Sequence, residues 1–384
     1  MKPGHIPSLY AHFPFCESKC HYCDFYSLGR EKTQAGDPAT FEKALRAEIE
    51  RSGHLLAPKL DTIFLGGGTP SMTPPDQMAH ALEPLWKFTS VTPQTEWTME
   101  ANPSSVNLES LREYRRQGVN RISMGVQALR DDLLLKLGRV HSRDAALQSL
   151  ETIFESGFDN VSVDLLCGVP GQSIETLEEA LARLTAFPIT HLSCYLLTLP
   201  KTHRMFRDLP DEDEQLSHLL LIDRWMREQG FIHYEISNFA KPGRQARHNL
   251  TYWKGGSYLG IGPSAHSFDS EFEPTVKSES GHGKRWKNFS PLHKYASELA
   301  AGREAIEWTE VLTSAQTDLE RWMLALRLDE GFPEEWLKSS GQKSRAAALE
   351  KEGLLEAHPE RMAYKRLTAR GFALSDQMIA SLSG

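Results

Sequence analysis

The chain has 384 residues, 40% of them apolar and 24% charged, with 43 Lys and Arg against 51 Asp and Glu and a formal net charge of −8. This composition excludes a disordered tail protein, a collagen-like chain and a disulfide-dense secreted domain, and the acidic balance argues against non-specific nucleic-acid binding. There is no run of roughly 18 apolar residues, and the opening MKPGHIPSLYAHFPFC lacks the roughly 7–15-residue apolar core of a signal peptide, so the cytoplasm is the expected location.

In chain order, short apolar runs predict strands at Leu9–Phe13, Thr62–Leu65, Glu96–Glu100, Arg121–Val126, Asn160–Leu165 and His191–Leu196. Amphipathic stretches between them predict helices over Ala39–Ser52, Pro74–Phe88, Leu108–Gln117, Ser142–Ser156 and Ile174–Ala186. This alternation implies βαβ units and a parallel sheet, with the polar strand ends GGGTP, EANP, GVQ and DLLCGVPG on its C-terminal edge, where α/β proteins build their sites. Periodicity alone does not choose between a partial barrel and an open sheet. A helix follows at Asp213–Gln229, opened by the acidic run Asp211–Glu214, then a strand-like FIHYEISNFA and a polar, turn-rich stretch, Asp269–Lys287, read as a surface loop or boundary. Helices at Ala315–Leu328, Pro333–Ser339 and Gln342–Lys351, a hairpin in GLLEAHPERMAYKRLT and a last helix at Ala369–Ser381 suggest a small winged-helix-like α+β domain. The expected division is 1–195, 196–289 and 290–384. Trp322 and Trp336 read as core, and Arg366 and Arg370 as surface cations open to a partner.

Of the five cysteines, Cys16, Cys20 and Cys23 form a C-x3-C-x2-C loop after the first strand, whereas Cys167 and Cys194 stand in apolar surroundings and read as small core residues. Thiolates suit zinc or an iron–sulfur cluster. Zinc would need a fourth ligand such as His12 or His21, while three thiolates on a four-iron cluster leave one iron open to another ligand. With Tyr22 just before the third cysteine, the loop resembles the signature of the radical S-adenosylmethionine (radical SAM) superfamily. That resemblance implies a [4Fe-4S] cluster whose open iron chelates the methionine end of SAM, an electron donor for the cluster, and one-electron cleavage of SAM to a 5′-deoxyadenosyl radical.

The glycines of Gly66-Gly67-Gly68-Thr69-Pro70 let a ligand lie against the backbone. Neither a Gly-Lys-Ser/Thr sequence nor GxGxxG accompanies them, so a phosphate loop is not indicated. Glu100, Asn102, Gln127, Arg139 and Asp164 add polar groups at later strand ends. The stretches HFPFCESKCHYCDFYS, FLGGGTPS, EANPSS, ISMGVQ, LGRVH and DLLCGVPGQ resemble the oxygen-independent coproporphyrinogen III oxidases and their relatives. This match implies a partial (β/α)6 barrel and a SAM site of Tyr10, Gly67, Gly68, Thr69, Glu100, Gln127, Arg139 and Asp164.

Two departures separate the chain from the oxidases, which carry a further Cys where Phe25 stands and an extension longer than the 15 residues that precede Cys16. His248-Asn249-Leu250-Thr251-Tyr252-Trp253 fits instead the H-N-x-x-Y-W mark of the HemW-type heme chaperones. Resemblance to that family implies heme as cargo and heme-acceptor proteins as partners, membrane-associated respiratory proteins among the candidates, with a homodimer left open. His248 is then the favoured iron contact, with Tyr252 and Trp253 flanking the porphyrin. His266, in GIGPSAHS, is a second candidate whose simpler reading is a satisfied pocket histidine. The rival function is SAM-dependent oxidative decarboxylation of coproporphyrinogen.

Overall fold

A computed structural model describes residues 4–272 and 283–383, and the chain forms two compact units. The first is built from Met1–Asp164, Arg247–Tyr252 and Gly256–Thr313, the second from Leu165–Ala246, Trp253–Gly255 and Ser314–Gly384. In the first unit the strands Ser8–Phe13, Thr62–Gly67, Glu96–Ala101 and Arg121–Gln127 pair in that order, all parallel, and Leu259–Ile261 pairs parallel to the outer side of Ser8–Phe13. The register sets Phe13 opposite Gly67, so the segment entering the cysteine loop starts beside the glycine turn. Leu9, Ala11, Ile63, Leu65, Met99, Ile122 and Met124 lie on one face of these strands and are buried, and Thr62, Thr98 and Arg121 are buried on the other.

The six expected strands and the intervening helices are present, with ends shifted by a residue or two in most cases. The stretch read as one helix from Pro74 to Phe88 divides into an α-helix, Pro75–Leu82, and a 3-10 turn, Glu83–Lys87. Pro84 has no N–H to continue the α-helical ladder. The helix Asp131–Leu137, not read from the sequence, stops at Gly138 with φ +74°. The polar stretch after Asp269 is bounded by paired antiparallel strands, His266–Asp269 and Lys284–Asn288, rather than being loop throughout; residues 273–282 lie outside the described residues.

In the second unit FIHYEISNFA is two short antiparallel strands, Ile232–Glu235 and Asn238–Ala240, the latter also pairing with His191–Leu196. Asp211 caps the helix Glu212–Glu228, its Oδ1 accepting from Glu214 N at 2.9 Å. Cys167 and Cys194 are buried, as expected. Near the C-terminus, Trp322, Leu326, Phe332, Leu349, Leu355 and Phe372 form one apolar cluster beneath the Leu355–Ala357/Tyr364–Leu367 hairpin. The expected helix Pro333–Ser339 is instead a strand pair at Phe332–Pro333 and a 3-10 turn, Glu334–Trp336, and the last helix breaks at Leu374. Arg366 is tied to Asp329 at 2.6 Å and Glu356 at 2.9 Å.

A buried carboxylate joins three parts of the first unit. Glu48, on the helix Asp37–Ser52, accepts from Gly262 N at 2.7 Å, from Asn288 Nδ2 at 2.6 Å and from the Tyr295 hydroxyl. Burial pushes its pKa up to about 7 against the pull of these donors. Removing the acceptor leaves buried donors unpaired, at a cost of about 1–3 kcal/mol each. Glu48→Ala is therefore expected to lower unfolding free energy by about 3 kcal/mol or more at pH 7, read as a fall in the urea midpoint with unchanged slope.

Candidate functional site

The glycine turn and the cysteine loop are built against each other. Gly68 N donates to Phe13 O at 2.7 Å and Thr69 N to Phe15 O at 2.8 Å. A Cβ on Gly68 would fall 2.6 Å from Phe15 O and 2.8 Å from Phe13 O, both backbone atoms that cannot swing aside. Gly67 has φ +105°, and a Cβ there would stand 2.6 Å from the His12 ring. Part of the space freed by these glycines is thus filled by the chain itself, where the sequence suggested only ligand.

A hydrogen-bonded path runs from one cysteine to another through Thr69 and Asn102 at two strand ends and Arg139, which sits not at a strand end but just past the helix Asp131–Leu137. Thr69 Oγ1 donates to Cys16 Sγ at 3.7 Å and accepts from Asn102 Nδ2 at 2.8 Å. The Asn102 carbonyl accepts from Arg139, whose guanidinium also reaches Gly125 O at 2.9 Å and Cys20 Sγ at 3.3 Å. Each polarity is forced: Arg139 can only donate, so Asn102 turns its oxygen to it and its amide to Thr69, whose proton is then free for sulfur. Gly125 leaves room for this, since a Cβ would lie 2.9 Å from Asn102 Oδ1.

The three cysteines are half-buried. Burial pushes Cys16 and Cys23 up, and the nearby thiols add to the effect, while Arg139 and Thr69 oppose it at Cys16 and Lys19 opposes it at Cys23. Burial works against the Arg139 charge, yet Cys20 and Tyr22 beside it raise its pKa overall; Tyr22 itself is raised, chiefly by burial. Neighbouring thiolates repel one another unless a positive centre lies between them, and soft sulfur donors suit iron. Among the described residues no trio of His, Cys, Asp and Glu already stands about one point, so the fit to a cluster rests on donor chemistry and proximity. His12 is not a spare ligand: its Nε2 donates to Tyr26 O at 2.8 Å, leaving Nδ1 to accept from the Tyr10 hydroxyl at 3.0 Å. Burial lowers its pKa to about 4.

Glu100 Oε2 accepts from Gly67 N at 3.1 Å. Burial, then the charge of Asp164, push Glu100 up to about 8. Asp164 in turn takes the Ser123 hydroxyl at 3.1 and 3.2 Å to its two oxygens. Gln127 ends its strand with φ +67°, a left-handed conformation that is unfavourable for a residue with a side chain and recurs at functional sites. Tyr10, Gly67, Thr69, Glu100, Arg139 and Asp164 are thus linked to one another or to the cysteine loop by the contacts above, and His12, Asn102 and Ser123 join them. From sequence alone Asn102 is only a strand-end polar group.

The H-N-x-x-Y-W segment is a short helix, Arg247–Trp253, whose first N–H groups are capped by Glu96: Arg247 N and His248 N lie 3.0 and 3.1 Å from its two carboxylate oxygens. His248 and Tyr252, four residues apart, share a helix face, and His248 Nε2 meets the Tyr252 hydroxyl at 2.7 Å. His248 Nδ1 meets Thr62 Oγ1 at 2.7 Å, and the ring stacks on Phe64 at 5.2 Å. The imidazole is 0% exposed, and burial together with Arg121 lowers its pKa to about 3. The structure therefore does not present His248 to a porphyrin, because both ring nitrogens are engaged inside the core. Trp253 belongs to the second unit, where the Arg327 guanidinium lies 5.5 Å from its ring centre.

Parallel strands that end in a three-cysteine loop, a glycine turn and a chain of polar side chains define a radical SAM protein, and the model of the Radical SAM superfamily matches residues 10–184. Within the superfamily this chain belongs to the HemW heme chaperone family: it is 32% identical to Heme chaperone HemW of Mycobacterium tuberculosis over 100% of its own length and 96% of that protein. It is 33% identical to the Bacillus subtilis counterpart, over 85% of this chain and 84% of that one. The fold matches that of the coproporphyrinogen III oxidase HemN of Escherichia coli, a radical SAM enzyme, with a TM-score of 0.80 over 100% of this chain and 91% of the other, at 22% identity. No described helix is long and apolar enough to cross a membrane.

A carboxyl with a native pKa near 8 and an ordinary value of 4.5 keeps in the folded state a proton that the unfolded chain releases. Its contribution to stability therefore falls as pH rises from about 4.5 to about 8. Glu100→Gln removes that dependence, so the ligand-free variant is expected to match wild type near pH 4.5 and to melt at a higher temperature than wild type at pH 8.5, checked by paired melting curves.

Proposed function

We propose that the chain binds heme and passes it to an acceptor protein, and that a [4Fe-4S] cluster on Cys16, Cys20 and Cys23 and SAM at the neighbouring strand ends control that transfer. The observation that carries this reading is the match, along the whole chain, to relatives named heme chaperones. The Cys16–Thr69–Asn102–Arg139–Cys20 path supports the cofactor part, because it steadies two cysteines from strand ends that also carry Glu100 and Gln127. When bound, the cluster supplies one electron to the SAM sulfonium. The chain's own residues bind and orient: Glu100 and Asp164 are acceptors for hydroxyl or ammonium groups, and the backbone by Gly67 and Gly68 approaches the ligand closely. Tyr10 and Gln127 complete the proposed SAM set, and Tyr22 screens the third cysteine. Partners in this reading are heme, its acceptor protein and an electron donor to the cluster.

Coproporphyrinogen oxidation is the weaker reading. Where the oxidases carry a further Cys, Phe25 stands 69% exposed and offers no thiol. Anaerobically reconstituted protein is expected to form no protoporphyrinogen from coproporphyrinogen, SAM and reductant. For the chaperone reading the test is heme transfer to an apo-acceptor by wild type and by a Cys16/Cys20/Cys23→Ser triple variant. Transfer is expected to drop at least tenfold in the variant while far-UV circular dichroism is unchanged; equal transfer rejects control by the cluster.

A further inference from the structure

Burial of His248 leaves the cargo without an evident iron ligand, and a different surface of the first unit offers one. The strands His266–Asp269, Lys284–Asn288 and Ile306–Val311 form a three-stranded antiparallel sheet. Its register sets His266, Lys287 and Trp308 in one cross-strand row, and Phe268, Arg285 and Glu310 in the next row on the same face. The opposite face is closed, with Ser267, Asp269, Trp286 and Asn288 buried. His266 is exposed, and among the described residues no hydrogen-bond partner engages its ring nitrogens, unlike the satisfied pocket histidine expected from its sequence context.

The chemistry of this row suits an iron porphyrin. The Trp308 indole, 39% exposed, stands 6.0 Å from the His266 ring and crosses it at 61°. An imidazole binds heme iron end-on, with its ring upright on the macrocycle, so an aromatic ring steeply inclined to the imidazole is oriented to lie along the porphyrin face. Lys287 and Arg285 supply cations for two propionates; each is now paired with a surface carboxylate, Glu307 at 2.7 Å and Glu310 at 2.6 Å. Exposed pairs of this kind contribute little, so one carboxylate replaces another at small cost. Burial, then Lys287 and Arg285, lower the His266 pKa, which keeps a ring lone pair open at neutral pH. His266 also lies close enough to His12, beside Gly67, to lower the latter's pKa. By contrast, a cavity of about 480 Å³ whose lining includes Phe13, Phe15, Cys16, Phe41 and Met72 contains no imidazole.

We propose that heme docks on this exposed sheet face, with His266 as axial iron ligand, Trp308 against the macrocycle and Lys287 and Arg285 on the propionates. The proposal rests on the heme-chaperone reading and names its docking site. Ferric heme is titrated into the full-length protein, His266→Ala and His266→Met, with folding followed by circular dichroism. Wild type is expected to give a saturable, red-shifted Soret band. His266→Ala should weaken binding at least tenfold and lose that band, with added imidazole restoring it, and His266→Met should move it to a different position. Unchanged Soret position and affinity in both variants overturn the His266 assignment while leaving the heme reading intact. A wild-type chain that gives no saturable shift overturns the heme reading itself, and the docking site with it.

Discussion

The Arg139 guanidinium is the contact on which the site's geometry turns. It donates to a thiol, to an asparagine carbonyl and to a backbone oxygen at the end of the Arg121–Gln127 strand, and so fixes which way Asn102 and Thr69 must point. A lysine could hold one of these partners but not the fork. Strand ends that are distant in sequence are thereby brought into one polar chain ending on Cys16 and Cys20. Glycine at 67 and 68 is the steric counterpart of that electrostatic constraint, since the loop can lie on the turn only if two Cβ atoms are missing.

Much of this was legible in the sequence, for identifiable reasons. A strand with one apolar face writes itself as an alternation, and Leu9–Phe13 and Arg121–Val126 are readable on that ground. The cysteine spacing and the polar strand ends follow from the rule that α/β proteins work at the C-terminal edge. Less legible were pieces whose conformation is set by partners far along the chain. The seven-residue helix Arg247–Trp253 is too short to announce itself by periodicity and is capped by Glu96, 151 positions earlier than Arg247. The sheet starting at His266 is interrupted in sequence by a polar stretch, which hid its pairing. His12 and Asn102 carry no spacing signature, and only the fold shows that they complete the hydrogen bonds of Tyr10 and Thr69.

Two histidines differ in what the fold makes of them. His248 belongs to the H-N-x-x-Y-W segment, and its spacing to Tyr252 is explained by a helix face on which imidazole and phenol satisfy each other in the core. His266 belongs to an inconspicuous turn-rich stretch, yet it is exposed beside Trp308. A buried hydrogen-bonded pair constrains its residue types as strongly as a ligand does.

The buried Glu100 has a calorimetric consequence. With its pKa near 8, a substantial fraction of these carboxyls holds a proton at neutral pH. A cationic ligand settling beside it favours the ionised form, so association expels that proton into solution. The heat measured for such an association then contains the ionisation enthalpy of whichever buffer takes the proton up. Two titrations that differ only in buffer would report different enthalpies for the same complex.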